Sequence, residues 1–139
     1  MKRIAAYVLA LVLTCSCAFF VAGAYYADVP GSSALAGEVE KAVRYGLMNG
    51  YSQAQFGYSD TMTRAQFLVV LTRMLGWQTP SMEEADADIT PAMALPEELS
   101  SQYRYAIACA AAHDVIEKTE PFRPNSPATR AEMAELLVR

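Results

Sequence analysis

The pattern Thr63-Arg64-Ala65-Gln66 opens an apolar helical stretch, and Thr129-Arg130-Ala131-Glu132 opens another 66 positions later. The correspondence runs upstream. Phe56 stands seven residues before Thr63, and Phe122 seven before Thr129. Across a two-residue gap, Gly46-Leu47-Met48 corresponds to Asp114-Val115-Ile116, and further back Asp28-Val29 corresponds to Asp88-Ile89. A duplicated unit of this length must fold as two copies of one supersecondary element, each covering part of its neighbour's apolar surface.

Each copy reads as helix, loop, helix. Leu35, Val39, Ala42, Val43 and Leu47 recur at three- and four-residue spacing, and Gly46 and Gly50 end that stripe. Tyr51 to Met62 has no period. Phe67, Leu68, Leu71, Met74 and Leu75 form the next stripe, stopped by Gly76. In the second copy, Leu99, Tyr103, Ala106, Ile107 and Ala110 form one stripe, and Met133, Leu136 and Leu137 the other. Pro121, Pro124 and Pro127 stiffen the loop between them. The expectation is an all-α chain with no long strand, and at most a short extended segment near Phe56 or Phe122. The segment 78–96, acidic and interrupted by Pro80, Pro91 and Pro96, reads mostly as loop.

The N-terminus carries an export pattern. Lys2 and Arg3 precede the apolar run Ile4 to Leu13, and Ala22-Gly23-Ala24 fits a small-x-small cleavage site, so residues 1–24 read as a signal peptide. An uncleaved anchor and a lipoprotein signal with Cys17 as the lipidated residue are the alternatives. Cleavage would remove Cys15 and Cys17 and leave Cys109, which excludes a disulfide within the mature chain. Cys109 in its Ala-rich helix reads as a small buried apolar residue. Cleavage also leaves nine basic against fifteen acidic residues, a net charge of −6. So acidic a chain is a poor ligand for nucleic acid. No further long apolar run follows, so no membrane span is expected in the mature chain.

The four-residue unit has a partial explanation in helix physics. Thr followed three positions later by Gln or Glu is a capping box, so Thr63 with Gln66 and Thr129 with Glu132 start helices, and losing a cap costs about 1 kcal/mol. Arg64 and Arg130 are left over. Each would lie in a first helical turn, at the positive end of the macrodipole, where a cation costs about 0.3–1 kcal/mol. An arginine beside free helical N–H groups makes an anion site, and its planar fork suits a carboxylate. The competing role is a salt bridge that holds neighbouring repeats together; the two roles are compatible.

These motifs, in this order and twice over, resemble the S-layer homology domain family. The first repeat supplies Tyr26-Ala27-Asp28-Val29-Pro30, Gly46-Leu47-Met48-Asn49-Gly50-Tyr51, Phe56 and Thr63-Arg64-Ala65-Gln66. The second supplies Asp88-Ile89, Val115-Ile116, Phe122-Arg123-Pro124 and Thr129-Arg130-Ala131-Glu132. The resemblance implies repeats at 25–77 and 87–139, with 78–96 as the acidic linker running into the second. It departs from the family at Gln66, at Asp114 for Gly46, at Lys118 for Gly50, and in having two repeats where three are usual. It implies a three-sided prism, here incomplete, and a chain exported to the cell wall of a Gram-positive-type bacterium. There it would bind anionic, for instance pyruvylated, secondary cell-wall polysaccharide. The residues implied in glycan binding are Arg64, Arg130, Asp28, Asp88, Gly50 and Tyr51; Tyr51 or Tyr103 would stack on a sugar or pack in the fold. Two repeats leave apolar helix faces open, which predicts self-association or docking on another protein with such repeats. The other reading is a surface assembly subunit that binds no glycan.

Enzymatic chemistry has little to work with. His113 is the only histidine and sits at a helix end, where a partial positive charge is favoured. With no second histidine or thiol pair there is no zinc ligand set. The acidic run 83–88 lacks the spacing of a calcium loop. No glycine-rich phosphate loop is present, and no cofactor is expected. Trp77 is expected to pack a helix end.

Overall fold

The computed structural model describes residues 26–78 and 81–138; the export signal and Cys17 lie outside these residues. The described elements are helices α1 (Ala36–Arg44), α2 (Arg64–Met74), α3 (Met82–Asp88), α4 (Ser101–Ala112) and α5 (Arg130–Val138), with a 3₁₀ turn at Pro91–Met93 before α4. Among the described residues there is no strand, only an isolated antiparallel bridge between Thr63 and Pro127. The chain is thus helical, as its periodicities predict. The extended pairing lies beyond Phe56 and Phe122, at the starts of the second helices.

Three helices end in the same way. The N–H of Gly46 donates to Val43 C=O and that of Leu47 to Ala42 C=O. Asp114 and Val115 repeat this at the end of α4, on Ala111 and Ala110, and Gly76 and Trp77 at the end of α2, on Arg73 and Thr72. This paired 5→2 and 6→1 closure needs a left-handed residue after the helix. Gly46 (φ 69°) and Asp114 (φ 57°) occupy corresponding places, so the repeat keeps the conformation where it changes the residue. Asp is among the few side chains that tolerate it. The closures at α2 and α4 bring Trp77 and His113 face to face, with ring centroids 4.0 Å apart and planes 10° from parallel.

The core lies between the repeats. Ala65, Leu68, Val69 and Leu71 of α2 pack with Ala106, Ile107, Ala110 and Ala111 of α4, and Met93, Val115, Ile116 and Phe122 close the cluster. The small alanines let α2 and α4 approach closely. Cys109 is buried on α4, where desolvation, and then the charge of Asp88, push its thiol above the usual range. By contrast, α1 and α5 bury no residue completely.

The acidic segment departs from expectation. It holds a helix, α3, packed on α4. Ser81 Oγ accepts the Glu84 N–H, and Glu84 returns the bond to the Ser81 N–H. Glu83 and Glu84 fall in the first turn, where the macrodipole favours acids, and Ala85 is fully buried. The acidity stabilises a helix start, and Pro91 opens the next turn from outside the helix.

Candidate functional site

Both capping boxes form. Thr63 Oγ1 accepts from Gln66 N–H at 3.2 Å, and Gln66 Oε1 accepts from Thr63 N–H at 2.8 Å. Thr129 Oγ1 accepts from Glu132 N–H at 3.2 Å, and Glu132 Oε2 accepts from Thr129 N–H at 2.8 Å. The environments of the two helix starts then diverge.

At α2 the first N–H groups are not free. Arg64 N–H donates to Ser126 C=O at 2.9 Å and Ala65 N–H to Pro124 C=O at 3.0 Å, while Ala128 N–H donates to Met62 C=O at 2.9 Å. The loop of the second repeat therefore caps the helix of the first. Arg64 follows the same route. Its Nη1 donates to Glu132 Oε1 at 2.6 Å, and its guanidinium lies 4.8 Å from the centre of the Phe122 ring. The Arg64 side chain is 25% exposed and its Nε makes no protein hydrogen bond. The anion that meets the first arginine is a carboxylate of the next repeat. Glu132 is held below the usual carboxylate range, first by the Thr129 N–H, then by the Thr129 hydroxyl, and further by Arg64.

At α5 the equivalent groups stand open. Arg130 is exposed and makes no ion pair among the described residues. Ala131 and Ala134, counterparts of the fully buried Ala65 and Leu68, are also exposed.

The two aspartates do different work. Asp28 accepts three backbone N–H bonds, from Phe56 (2.7 Å) on Oδ1 and from Gly57 (2.7 Å) and Tyr58 (3.0 Å) on Oδ2. These bonds, that of Phe56 first, hold its carboxyl below the usual range. It ties the start of the first repeat to its loop. Asp88 accepts instead from Lys118 Nζ at 2.8 Å, and the Phe122 N–H goes to Met93 C=O. The exchange is correlated. A Cβ on Gly50 would collide with the Tyr26 ring and the Gln55 carbonyl. In the second repeat Asp86 stands in Tyr26's place, the ring is gone, and Lys118 fits where Gly50 was required.

Gly50 and Tyr51 line an open cleft of about 410 Å³ in the first repeat. Tyr51 is 58% exposed, and its ring lies over Gly57, which leaves no room for a side chain there. Tyr58 and Tyr103 add two more rings, and Asn49, Gln66 and Gln102 add amides. Arg73 also lines the cleft; its Nη1 donates to Leu47 C=O at 3.3 Å, and it has no carboxylate partner among the described residues. No sequence signal singles it out, because a basic residue in a last helical turn is what the macrodipole favours. Arg64, Arg130, Asp28 and Asp88 are not among the residues lining this cleft.

Paired helix–loop–helix units that bury their core against one another, with an aromatic and amide-lined cleft at one end, define a repeat-type binding module. The chain belongs to the S-layer homology domain family, whose profile matches residues 25–68 and 99–134, two tandem repeats and more than half of the chain. Domains of this family are attachment modules of cell-surface proteins that bind cell-wall polysaccharide in general, and the family is a binding rather than an enzymatic one. No curated protein and no solved structure matches this chain. Among the described residues no helix is long and apolar enough to cross a membrane.

Proposed function

We propose that the protein attaches non-covalently to the bacterial cell wall by binding an anionic secondary wall polysaccharide in the first-repeat cleft. The observation that carries this reading is the convergence of Tyr51, Tyr58 and Tyr103 with Arg73 and three side-chain amides in one open groove. Aromatic faces match the C–H faces of pyranose rings, amides match hydroxyls, and a guanidinium matches a carboxylate substituent. The cleft is lined by one cation and one anion, Arg73 and Asp60, so it is locally neutral on a chain that is acidic as a whole, and Arg73 is the group in it that suits a carboxylate substituent. Of the six residues that the family resemblance implies, Gly50 and Tyr51 act in the cleft, and Arg130 is an exposed cation that lies outside its lining. Arg64, Asp28 and Asp88 serve the scaffold through the bonds described above. Export by the N-terminal segment is part of the same proposal.

Co-sedimentation with purified sacculi tests it. The wild-type protein is expected to pellet with sacculi that retain their secondary polymer and to stay in solution with sacculi stripped of it. Tyr51→Ala and Arg73→Gln, both still folded by circular dichroism, are expected to weaken binding about tenfold each, a typical cost of one stacking or charge-assisted contact. Equal binding to stripped sacculi, or full binding by both variants, rejects the glycan reading and leaves a protein-assembly role.

A further inference from the structure

The contact between the two repeats has a donor half and an acceptor half, and each repeat carries both. The donor half is the start of a second helix. In α2 this is Arg64, with Ala65, Leu68 and Leu71 buried beneath it at 0%, 0% and 2% exposure. The acceptor half is the first helix with its following loop. In the second repeat this is α4 with Phe122 and Glu132, plus the carbonyls of Pro124 and Ser126.

One donor and one acceptor are left over. The spare donor is α5. Arg130 replaces Arg64, and Ala131, Ala134 and Leu137 replace Ala65, Leu68 and Leu71, all of them exposed, Leu137 at 54%. Glu135 takes the place of Val69, a buried core residue at the margin of this face where it also lines the first-repeat cleft. The spare acceptor is the first repeat. Phe56 and Gln66 occupy the places of Phe122 and Glu132, and the carbonyls of Tyr58 and Asp60 those of Pro124 and Ser126. Its helix α1 carries Val39, Ala42 and Val43 where α4 carries Ile107, Ala110 and Ala111, and they are only half-buried. The spare halves are at opposite ends of one chain, and the bonds that would join them are already made once inside it.

We propose that copies of this chain join head to tail, the α5 face and Arg130 of one copy seating on the α1 face and 56–66 segment of the next. A second copy fits because it offers the matching half by the same residue correspondence that builds the intramolecular contact. Such a contact is heterologous, so it closes into a ring or continues as a filament according to its rotation. It lacks one element of the internal contact: Gln66 Oε1 accepts the Thr63 N–H, which leaves the amide NH2 toward Arg130, so Arg130 meets the Phe56 ring but no acceptor in place of the second carboxylate oxygen of Glu132. The 56–66 segment also lines the first-repeat cleft, so this junction and a bound glycan compete for it; the test is read without any wall polymer, so its failure and that of the glycan reading are distinguishable.

Sedimentation velocity on the purified protein over a wide concentration range tests it. The wild type is expected to show mass above the monomer that rises with concentration. Gln66→Glu keeps the capping box and restores the missing carboxylate, and is expected to tighten association about three- to tenfold at low salt, with the gain lost at high salt. Arg130→Glu added to Gln66→Glu is expected to weaken association through the facing carboxylates, and Gln66→Arg to weaken it when alone; Arg130→Glu and Gln66→Arg, each folded by circular dichroism, are expected to associate when mixed, because the two substituted side chains then pair across the junction. A monomer at every concentration in both wild type and Gln66→Glu, or association of Gln66→Glu indifferent to added Arg130→Glu, overturns the proposal. A mixture that behaves as the sum of its parts overturns it as well.

Discussion

Arg64 and Arg130 show how one residue type in one motif can have two fates. Both sit against the helix dipole, at an intrinsic cost of about 0.3–1 kcal/mol. Arg64 recovers that cost from Glu132 and the Phe122 ring. The pair is a quarter to a third exposed, so the ion pair is worth about 0.5–1 kcal/mol after solvent screening, and the ring contact adds a similar amount. Arg64→Ala is therefore expected to destabilise the protein by about 1–2 kcal/mol in urea denaturation. Arg130→Ala, measured at a concentration where the chain is monomeric, should stay within about 0.5 kcal/mol. Asp28 gives a test in pH. Its carboxyl is depressed by three backbone donors. A depressed acid contributes stability that is complete above its unfolded value, about 3.9, and is lost as pH falls through its lower folded value. Glu132 acts in the same direction. The wild type is thus expected to lose stability as pH falls below about 4. Asp28→Asn, which leaves one acceptor oxygen for three N–H groups, should be less stable at neutral pH and lose less on acidification. An identical pH profile for the two proteins would remove Asp28 from this role.

At the level of the element, α3 is the clearest lesson. Its start is a Ser-x-x-Glu capping box, the same device that was legible at Thr63 and Thr129. It stayed hidden because proline and acidic residues around it suggest a solvated linker. Two acids in the first turn, Glu83 and Glu84, are stabilising, however, and each proline falls outside the seven helical residues. Ser81→Ala is expected to cost about 1 kcal/mol, seen as faster amide exchange confined to 84–89. The amphipathic stripes, the glycine stops and the caps were readable because each is a local rule with a fixed spacing. The acceptors of the Arg64 and Ala65 N–H groups were not, because they lie some sixty residues away in Pro124 and Ser126. The cleft was half legible. Gly50 and Tyr51 followed from family motifs, but Arg73 enters it only through the packing of α2 beside the loop of its own repeat.

Across the whole molecule, the placement of the core decides how stability is shared. The largest fully buried side chains, Leu68, Met93 and Ile107, come from both sides of the boundary between the repeats. Among the described residues neither repeat encloses a core of comparable size alone; the first has only Tyr26 and Val29 buried apart from α2. In such arrays stability is mostly an interface quantity. Leu68→Ala or Ile107→Ala is expected to cost about 2–5 kcal/mol, a large share of what so small a domain possesses. The same argument predicts that a fragment of residues 26–78 has no cooperative unfolding transition, and that adding a fragment of residues 81–139 restores one. Trp77 is the chain's only tryptophan and stacks on His113 from the other repeat, so its fluorescence reports this docking directly. The emission of the first fragment should change when the second is titrated in, and it should not change when the second carries Ile107→Asp. A first repeat that unfolds cooperatively alone, with Trp77 indifferent to its partner, would mean that each repeat folds independently, and the spare faces of α1 and α5 would then lose their significance as halves of an unfinished core.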